Sequence, residues 1–277
     1  MQTVSFRSRT TVLPRPDACA LHPRHFAASR VPLARLPTSS VRRYRGPMVS
    51  AVRRLLDELS WEGNARRYHD GGLGKENVIT TEVVQALDFL PREAFLGRVL
   101  AGASGAPLVQ AQAEIELAVV DLLPGDLTHP DLDIRAQPDV RIDSPAAFVL
   151  VEAKRLRRST FQADQLAKEL ILTAEHARDR HPVLLLVLGA PPPIRVQGHG
   201  TLSIEDAVRV GLERISVRHG RQVAAPNPLD TVAWTTWAEI GAQVEAALQT
   251  YDNPDESTYN AVARVARTVA DALHVHA

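Results

Sequence analysis

Apolar residues begin to recur at intervals of three and four directly after Met48, a spacing that is typical of amphipathic helices. The first predicted helix carries the apolar residues 52, 55, 56 and 59 and lies before the glycine-rich loop at 71–74. The second starts behind Asn77 as its N-cap, and Pro91 opens a further helical turn. The remaining predicted helices cover 159–180 with Ser159 as N-cap, 204–215, a stretch leading from Trp234 and Trp237 to Leu248, and 256–273.

Other stretches have the length and pattern of strands. The apolar run at 113–123 is compatible with a strand, although its alanines and glutamates are poor strand formers. Clearer strands lie at 138–142 and 147–153, and the turn residues 143–145 between them predict an antiparallel hairpin. The stretch 183–188 is apolar on both faces, as an interior strand is. The order helix, strand, strand, strand, helix, strand predicts an α/β fold with a mixed sheet between helices.

The first 47 residues differ in composition from the rest of the chain. Nine arginines there face one acid, Asp17, giving +8, whereas the remainder has 23 basic and 31 acidic residues, giving −8. Residues 1–47 are rich in Ser, Pro, Thr and Arg and show no period, so they are predicted to be disordered. Three explanations stay open: a transit-like leader, a basic arm that touches phosphates, or residues upstream of a true start at Met48. The onset of patterning at Met48 favours the third.

Residues 48–277 suit one globular domain, with helical additions from about residue 198. The longest apolar stretch, 182–190, is much shorter than the roughly 18 residues that cross a bilayer. The sequence therefore predicts a soluble, cytoplasmic protein with no membrane partner. The single cysteine, Cys19, cannot form an internal disulfide and has no Cys or His neighbours at metal-ligand spacing.

Charged residues at the end of the strand 147–153 are the candidate chemistry. Side chains alternate along a strand, so Glu152 and Lys154 share a face, and the hairpin can bring Asp139 beside them. Because the preceding residues are apolar, these charges lie where solvation is poor and compensation is needed. Mg²⁺, for which Mn²⁺ can substitute, prefers oxygen ligands and keeps positions for water and phosphate oxygens. This combination indicates hydrolysis of a phosphodiester.

The rarity of lysine strengthens that interpretation. The chain has 29 arginines and three lysines, Lys75, Lys154 and Lys168. If arginine and lysine were interchangeable at every basic position, a given position would hold lysine only about a tenth of the time. A compact ammonium on a flexible stem can orient a water in a way that a planar, always-charged guanidinium cannot.

The segment Pro138-Asp139, twelve residues, then Glu152-Ala153-Lys154 resembles the signature of the PD-(D/E)XK nuclease superfamily. That superfamily has the restriction-endonuclease-like fold, a mixed sheet with core order αβββαβ. The resemblance covers roughly residues 76–189, with extra helices at both ends. It implies that Asp139 and Glu152 bind Mg²⁺ together with the backbone carbonyl of Ala153, and that Lys154 assists the attacking water.

Members of that superfamily often carry two further site residues. An acid on the first core helix joins the metal site, here Glu76 with Glu82 in reserve, and a glutamine follows the lysine on the next helix, here Gln165. The basic residues directly after the motif are candidates for gripping the phosphates that flank the scissile one. They are Arg155, Arg157 and Arg158.

Ordinary structural roles also stay open for these residues. The two acids can form an ion pair with Lys154, Glu76 is favourable at a helix N-terminus, Gln165 can be a plain helix position, and the arginines can form a solvated loop.

The sequence thus predicts a Mg²⁺-dependent endonuclease acting on DNA. Two alternatives are a nucleic-acid-binding protein that keeps the nuclease fold without turnover, and a Mg²⁺-dependent phosphohydrolase of nucleotides. Since no separate recognition module is visible, specificity is expected from the additions after Gly189, from a second copy in a homodimer, or from a partner protein.

Overall fold

A mixed sheet of six strands organises the part of the chain that the computed structural model describes, residues 75–154 and 160–276. These residues all belong to the compact unit Pro47–Ala277. The segment 1–47, the first predicted helix and residues 155–159 lie outside the description, as do the side chains of residues 75, 76 and 276. From one edge to the other the strands are β1 (Ser104–Gly105), β10 (Val232–Thr236), β7 (His181–Leu188), β6 (Ala147–Ala153), β5 (Val140–Asp143) and β2 (Val119–Leu122).

The sheet combines both strand directions. Strands β2, β5 and β6 form an antiparallel meander, β7 and then β10 run parallel to β6, and β1 is antiparallel to β10. Two small antiparallel pairs lie apart from this sheet: β3 (Leu127–Thr128) with β4 (Arg135–Ala136), and β8 (Ile194–Val196) with β9 (Gly200–Leu202). The predicted α/β fold with a mixed sheet is confirmed.

Helices lie on both faces of the sheet. They are α1 (Lys75–Phe89), α2 (Leu96–Ala101), α3 (Val109–Gln112), α4 (Ala163–Ala177), α5 (Ile204–His219), α6 (Pro228–Thr231), α7 (Trp237–Thr250) and α8 (Glu256–His276), with a 3₁₀ turn at Ile115–Leu117. Among the described helices, none is both long enough and apolar enough to cross a membrane.

Strand β6 lies between two hydrophobic cores, and all seven of its residues are buried. Val149, Val151 and Ala153 pack into a core that α1, α2, α7 and α8 also supply. On the other face, Phe148 and Leu150 join a core built with α4 and α5. Glu152 follows the alternation of Phe148 and Leu150, so its carboxylate lies on the face that α4 and α5 cover.

A glycine sets the distance between α4 and α5. A Cβ atom added at Gly211 of α5 would lie 2.1 Å from the carbonyl oxygen of Ala163, the first residue of α4. Only hydrogen fits there, so the backbones of the two helices are in direct contact at this point. The position of α5 relative to the first turn of α4 is therefore fixed by packing.

Several sequence predictions need correction. Asn77 lies inside α1, which begins at Lys75, and is not its N-cap. The predicted strand at 113–123 is a strand only at β2, because the 3₁₀ turn precedes it and Glu114 has a left-handed φ of 57°. Helix α4 begins at Ala163 with Gln162 at the N-cap position, while the predicted cap Ser159 lies outside the described residues.

The C-terminal additions are also not purely helical. The stretch around Trp234 forms β10, which extends the sheet next to β7.

Candidate functional site

The carboxyl end of β6 and the residue before β5 meet at one point of the sheet. Val140 pairs with Val151 in the β5–β6 ladder, so one step further Asp139 stands opposite Glu152. The backbone N–H of Asp139 donates to the carbonyl of Val151 at 3.1 Å. In return the backbone N–H of Ala153 donates to Oδ2 of Asp139 at 2.7 Å. The Asp139 carboxylate is thus held against the last residues of β6.

Glu152 is a charged residue in the hydrophobic interior. It is only 2% exposed, and an isolated carboxylate there would cost several kcal/mol in lost hydration. Donors from Lys154 and Gln165 compensate it: Lys154 Nζ lies 2.5 Å from its Oε1, and Gln165 Nε2 donates to the same oxygen at 2.6 Å. The Glu152 carboxylate is therefore fixed by both the strand end and the adjacent helix.

Lys154 is held through its backbone and its side chain. Its N–H donates to the carbonyl of Val187 at 2.8 Å, and its own carbonyl accepts from the indole N–H of Trp237 at 2.6 Å. Its ammonium lies 5.4 Å from the centre of the Phe161 ring, within reach of a cation–π attraction. With 14% of its side chain exposed, Lys154 faces a place that solvent or a ligand can reach.

Glu169 is a member of this cluster that the sequence reasoning missed. It lies one turn after Gln165 on α4, is fully buried, and its Oε1 accepts from Gln165 Nε2 at 2.9 Å. Burial raises the pKa of the Glu169 carboxyl well above its ordinary value, and the nearby Glu152 charge raises this pKa further. A protonated Glu169 can also donate a hydrogen bond to Glu152.

A sequence signal for Glu169 did exist. Residues four apart share a helix face, so a second acid on the face of Gln165 could have been identified from spacing alone.

The structure brings four of the predicted site residues together, namely Asp139, Glu152, Lys154 and Gln165. The predicted metal ligand Glu76 lies in the first turn of α1, but its side chain is outside the description. Its reserve, Glu82, is exposed and lines a groove between α1 and α8, whose lining includes none of those four residues.

The three predicted phosphate-binding arginines cannot be placed in the same way. Arg155, Arg157 and Arg158 all lie outside the described residues.

The donor atoms of this cluster suit a hard cation. Asp139 and Glu152 offer carboxylate oxygens next to the Ala153 backbone. No group of three or more His, Cys, Asp or Glu side chains is gathered for a metal in the part of the chain that the structure describes. Mg²⁺ usually takes only one or two carboxylates and completes its shell with waters and substrate oxygens, so the residues present fit it.

Comparisons with known protein families, with curated proteins and with solved structures found no match for this chain. A fold alone does not define an activity, so the chemistry of the site is the guide to function.

Proposed function

We propose that the protein is a Mg²⁺-dependent nuclease that hydrolyses phosphodiester bonds of DNA at internal positions. One observation carries the proposal: the buried Glu152 carboxylate is contacted at once by the Lys154 ammonium, at 2.5 Å, and by the Gln165 amide, at 2.6 Å. Asp139 lies opposite it, directly before the neighbouring strand β5. Carboxylates, an ammonium and an amide converging in a poorly solvated place are the components that such a reaction needs.

The arrangement of elements gives independent support. Along the chain α1, β2, β5, β6, α4 and β7 follow one another, with short helices, the two-residue strand β1 and the β3–β4 pair inserted between them. The strands β2, β5, β6 and β7 are consecutive neighbours in the sheet. This agrees with the αβββαβ core of the PD-(D/E)XK superfamily that the motif at Pro138 resembles, and Glu152 lies at the strand end where that motif ends.

In this proposal Asp139, Glu152 and the carbonyl of Ala153 hold the metal. When bound there, Mg²⁺ polarises the phosphoryl group and lowers the pKa of a water. The amide of Gln165 keeps the Glu152 carboxylate oriented, because it donates to Glu152 from a helix whose own position is fixed.

Lys154 supplies the mobile positive charge. Its backbone is held by Val187 and Trp237 while its ammonium ends on a flexible stem, so it can turn a donor from Glu152 toward the attacking water or a phosphate oxygen. The water oxygen bonds to phosphorus and loses a proton to solvent, the bond from phosphorus to the leaving sugar oxygen breaks, and that oxygen takes up a proton from solvent.

The test is cleavage by the full chain with Mg²⁺ or Mn²⁺ on supercoiled, linear and single-stranded DNA and on RNA. We expect Lys154→Ala and Glu152→Ala to reduce cleavage of DNA by at least about a hundredfold. Lys168→Ala and Glu245→Ala remove the same side chains outside the site and should cleave like wild type.

Three results would contradict the proposal. These are intact substrates with the wild-type protein, an active Lys154→Ala variant, or hydrolysis of small nucleotides alone. DNA binding without any cleavage would favour a silent nuclease fold instead.

A further inference from the structure

Phe161 connects the proposed catalytic site to the β8–β9 hairpin. Its ring lies 5.4 Å from the Lys154 ammonium, and its backbone is bonded to β8 on both sides. The Phe161 N–H donates to the carbonyl of Arg195, and the N–H of Gln197 donates to the carbonyl of Phe161, both at 2.9 Å. Phe161 therefore ties the site to the β8–β9 hairpin, whose tip carries His199.

A group of basic residues links that tip to α5 and to the start of α4. Arg214 of α5 lies 2.6 Å from His199 Nε2 through its Nη2 and 3.5 Å from Asp164 Oδ1 through its Nη1. Arg218, one turn later, contacts Asp164 Oδ2 at 2.7 Å. Asp164 immediately precedes Gln165. Together His199, Arg214 and Arg218 form a basic cluster.

The basic cluster carries uncompensated positive charge. Two guanidinium groups, which stay protonated, share the single carboxylate of Asp164. The Arg214 and Arg218 side chains are 48% and 55% exposed. Partly exposed guanidinium groups with donors to spare are the usual ligands of phosphate oxygens.

We propose that the basic cluster binds the sugar–phosphate backbone of the nucleic acid beside the proposed catalytic site of Glu152 and Lys154. This inference rests on the proposed nuclease function and adds the surface that holds its substrate. The charge of residues 48–277 gives a physical reason for a local surface: it is −8 in total, which repels a polyanion unless a local patch attracts it.

Packing keeps the basic cluster at a constant distance from the site. Gly211 lies one turn before Arg214 and brings α5 into backbone contact with Ala163, two residues before Gln165. A backbone phosphate bound by Arg214 and Arg218 would consequently lie at a fixed distance from the phosphate that faces Lys154.

The experiment compares two pairs of substitutions that each remove two positive charges. Arg214→Gln/Arg218→Gln alters the basic cluster, and Arg264→Gln/Arg267→Gln alters two exposed arginines of α8, which packs on the opposite face of the sheet. Both pairs are placed in the full chain carrying Lys154→Ala, so that a labelled DNA duplex stays intact with Mg²⁺. Binding is followed by fluorescence anisotropy between 50 and 200 mM salt.

We expect the Arg214→Gln/Arg218→Gln pair to weaken binding about tenfold at 50 mM salt and to reduce the slope of log affinity against log salt by about two, one for each lost phosphate contact. Arg214→Lys/Arg218→Lys keeps the charges and should restore most of the slope. The Arg264→Gln/Arg267→Gln pair should change neither quantity by more than its error. If circular dichroism shows that the double variant does not fold, each single variant should reduce the slope by about one.

Two outcomes overturn the inference in distinguishable ways. In the first, the cluster pair and the control pair bind DNA with equal affinity and equal salt slope, while the protein with Lys154 intact cleaves DNA. This result refutes DNA binding by the basic cluster and leaves the proposed function standing. Absence of both binding and cleavage with every nucleic acid refutes the proposed function, and the inference with it.

Discussion

Gln165 joins the two buried carboxyl groups of the site. Its amide nitrogen donates to Glu152 at 2.6 Å and to Glu169 at 2.9 Å. Loss of Gln165 would remove a donor from each of the two acids, and the orientation of Glu152 would be less defined.

We therefore expect Gln165→Ala to weaken Mn²⁺ binding and to lower the rate of DNA cleavage, each by roughly 10- to 100-fold, the usual effect of losing a residue that orients a metal ligand. Calorimetric titration with Mn²⁺ measures the first and a plasmid assay the second. Gln162→Ala, at an exposed position before α4, is the matched control. Unchanged Mn²⁺ affinity in Gln165→Ala would show that Gln165 does not support the metal site.

Glu169 should make stability depend on pH. Burial first, and then the Glu152 charge, raise the pKa of the Glu169 carboxyl in the folded protein. The folded state therefore holds this proton more tightly than the unfolded chain does. This group's contribution to stability is fully present below its unfolded pKa of about 4.3 and is lost as pH rises through the folded pKa.

Glu169→Gln removes that titration while keeping an oxygen for Gln165. In metal-free buffer, the free energy of unfolding of Glu169→Gln relative to wild type should increase as pH rises from about 4.3. Urea unfolding at a series of pH values measures it, with Glu245→Gln on the exposed side of α7 as the control. A difference between Glu169→Gln and wild type that does not change with pH would contradict this account.

At the scale of elements, the contact between α4 and α5 is the most restrictive packing feature near the site. An alanine at Gly211 would press its Cβ against the carbonyl of Ala163, with an ideal separation of 2.1 Å from backbone that cannot yield locally. An alanine at Gly241 of α7 would meet only the end of the Leu273 side chain, at 2.9 Å, which can rotate away.

Gly211→Ala should consequently destabilise the protein by about 1–3 kcal/mol, the usual cost of overpacking a core. Gly241→Ala should be close to neutral or slightly stabilising, because alanine is the better helix former by about 1 kcal/mol. Thermal unfolding compares the two helical glycines directly. Equal melting temperatures for the two variants would mean that α5 can move away from α4 at little cost.

The elements that the sequence predicted well are those with a strong local pattern. The strand now seen as β6 and the interior strand β7 were predicted within two residues, because apolar runs of strand length bounded by turn residues leave few alternatives. Strand β10 was missed: its five residues, Val232–Thr236, have no clear alternation and become a strand by pairing with β7, which is distant in sequence.

The same reasoning applies to the site. Asp139, Glu152 and Lys154 could be predicted because strand alternation and a hairpin are local features. The contacts of Phe161 with the β8–β9 hairpin and of Trp237 with Lys154 could not, because each joins residues whose proximity depends on the whole fold.

At the scale of the whole molecule, the proposed metal should stabilise the fold. A ligand that binds only the native state adds about 2.7 kcal/mol at a concentration of 100 times its Kd. For a protein of this size each kcal/mol raises the melting temperature by about 2–4 °C. Mg²⁺ or Mn²⁺ should therefore raise the wild-type melting temperature by roughly 5–10 °C.

That rise should be absent in Asp139→Ala and in Glu152→Ala but present in Glu245→Ala, all followed by differential scanning fluorimetry. Because this readout requires no substrate, an equal rise in all four proteins would contradict metal binding by Asp139 and Glu152 whether or not the protein cleaves DNA.

The hydrogen bond from the Trp237 indole to the Lys154 carbonyl, 2.6 Å long, has an optical consequence. Indole emission responds to the strength of this bond and to nearby charge, and the chain has only three tryptophans, at 61, 234 and 237. Replacing Trp61 and Trp234 with phenylalanine would leave Trp237 as the single emitter, fully buried against the backbone of the proposed catalytic lysine. The protein would then carry its own fluorescent probe, through which the arrival of a cation or a nucleic acid could be timed in a stopped-flow instrument without any label.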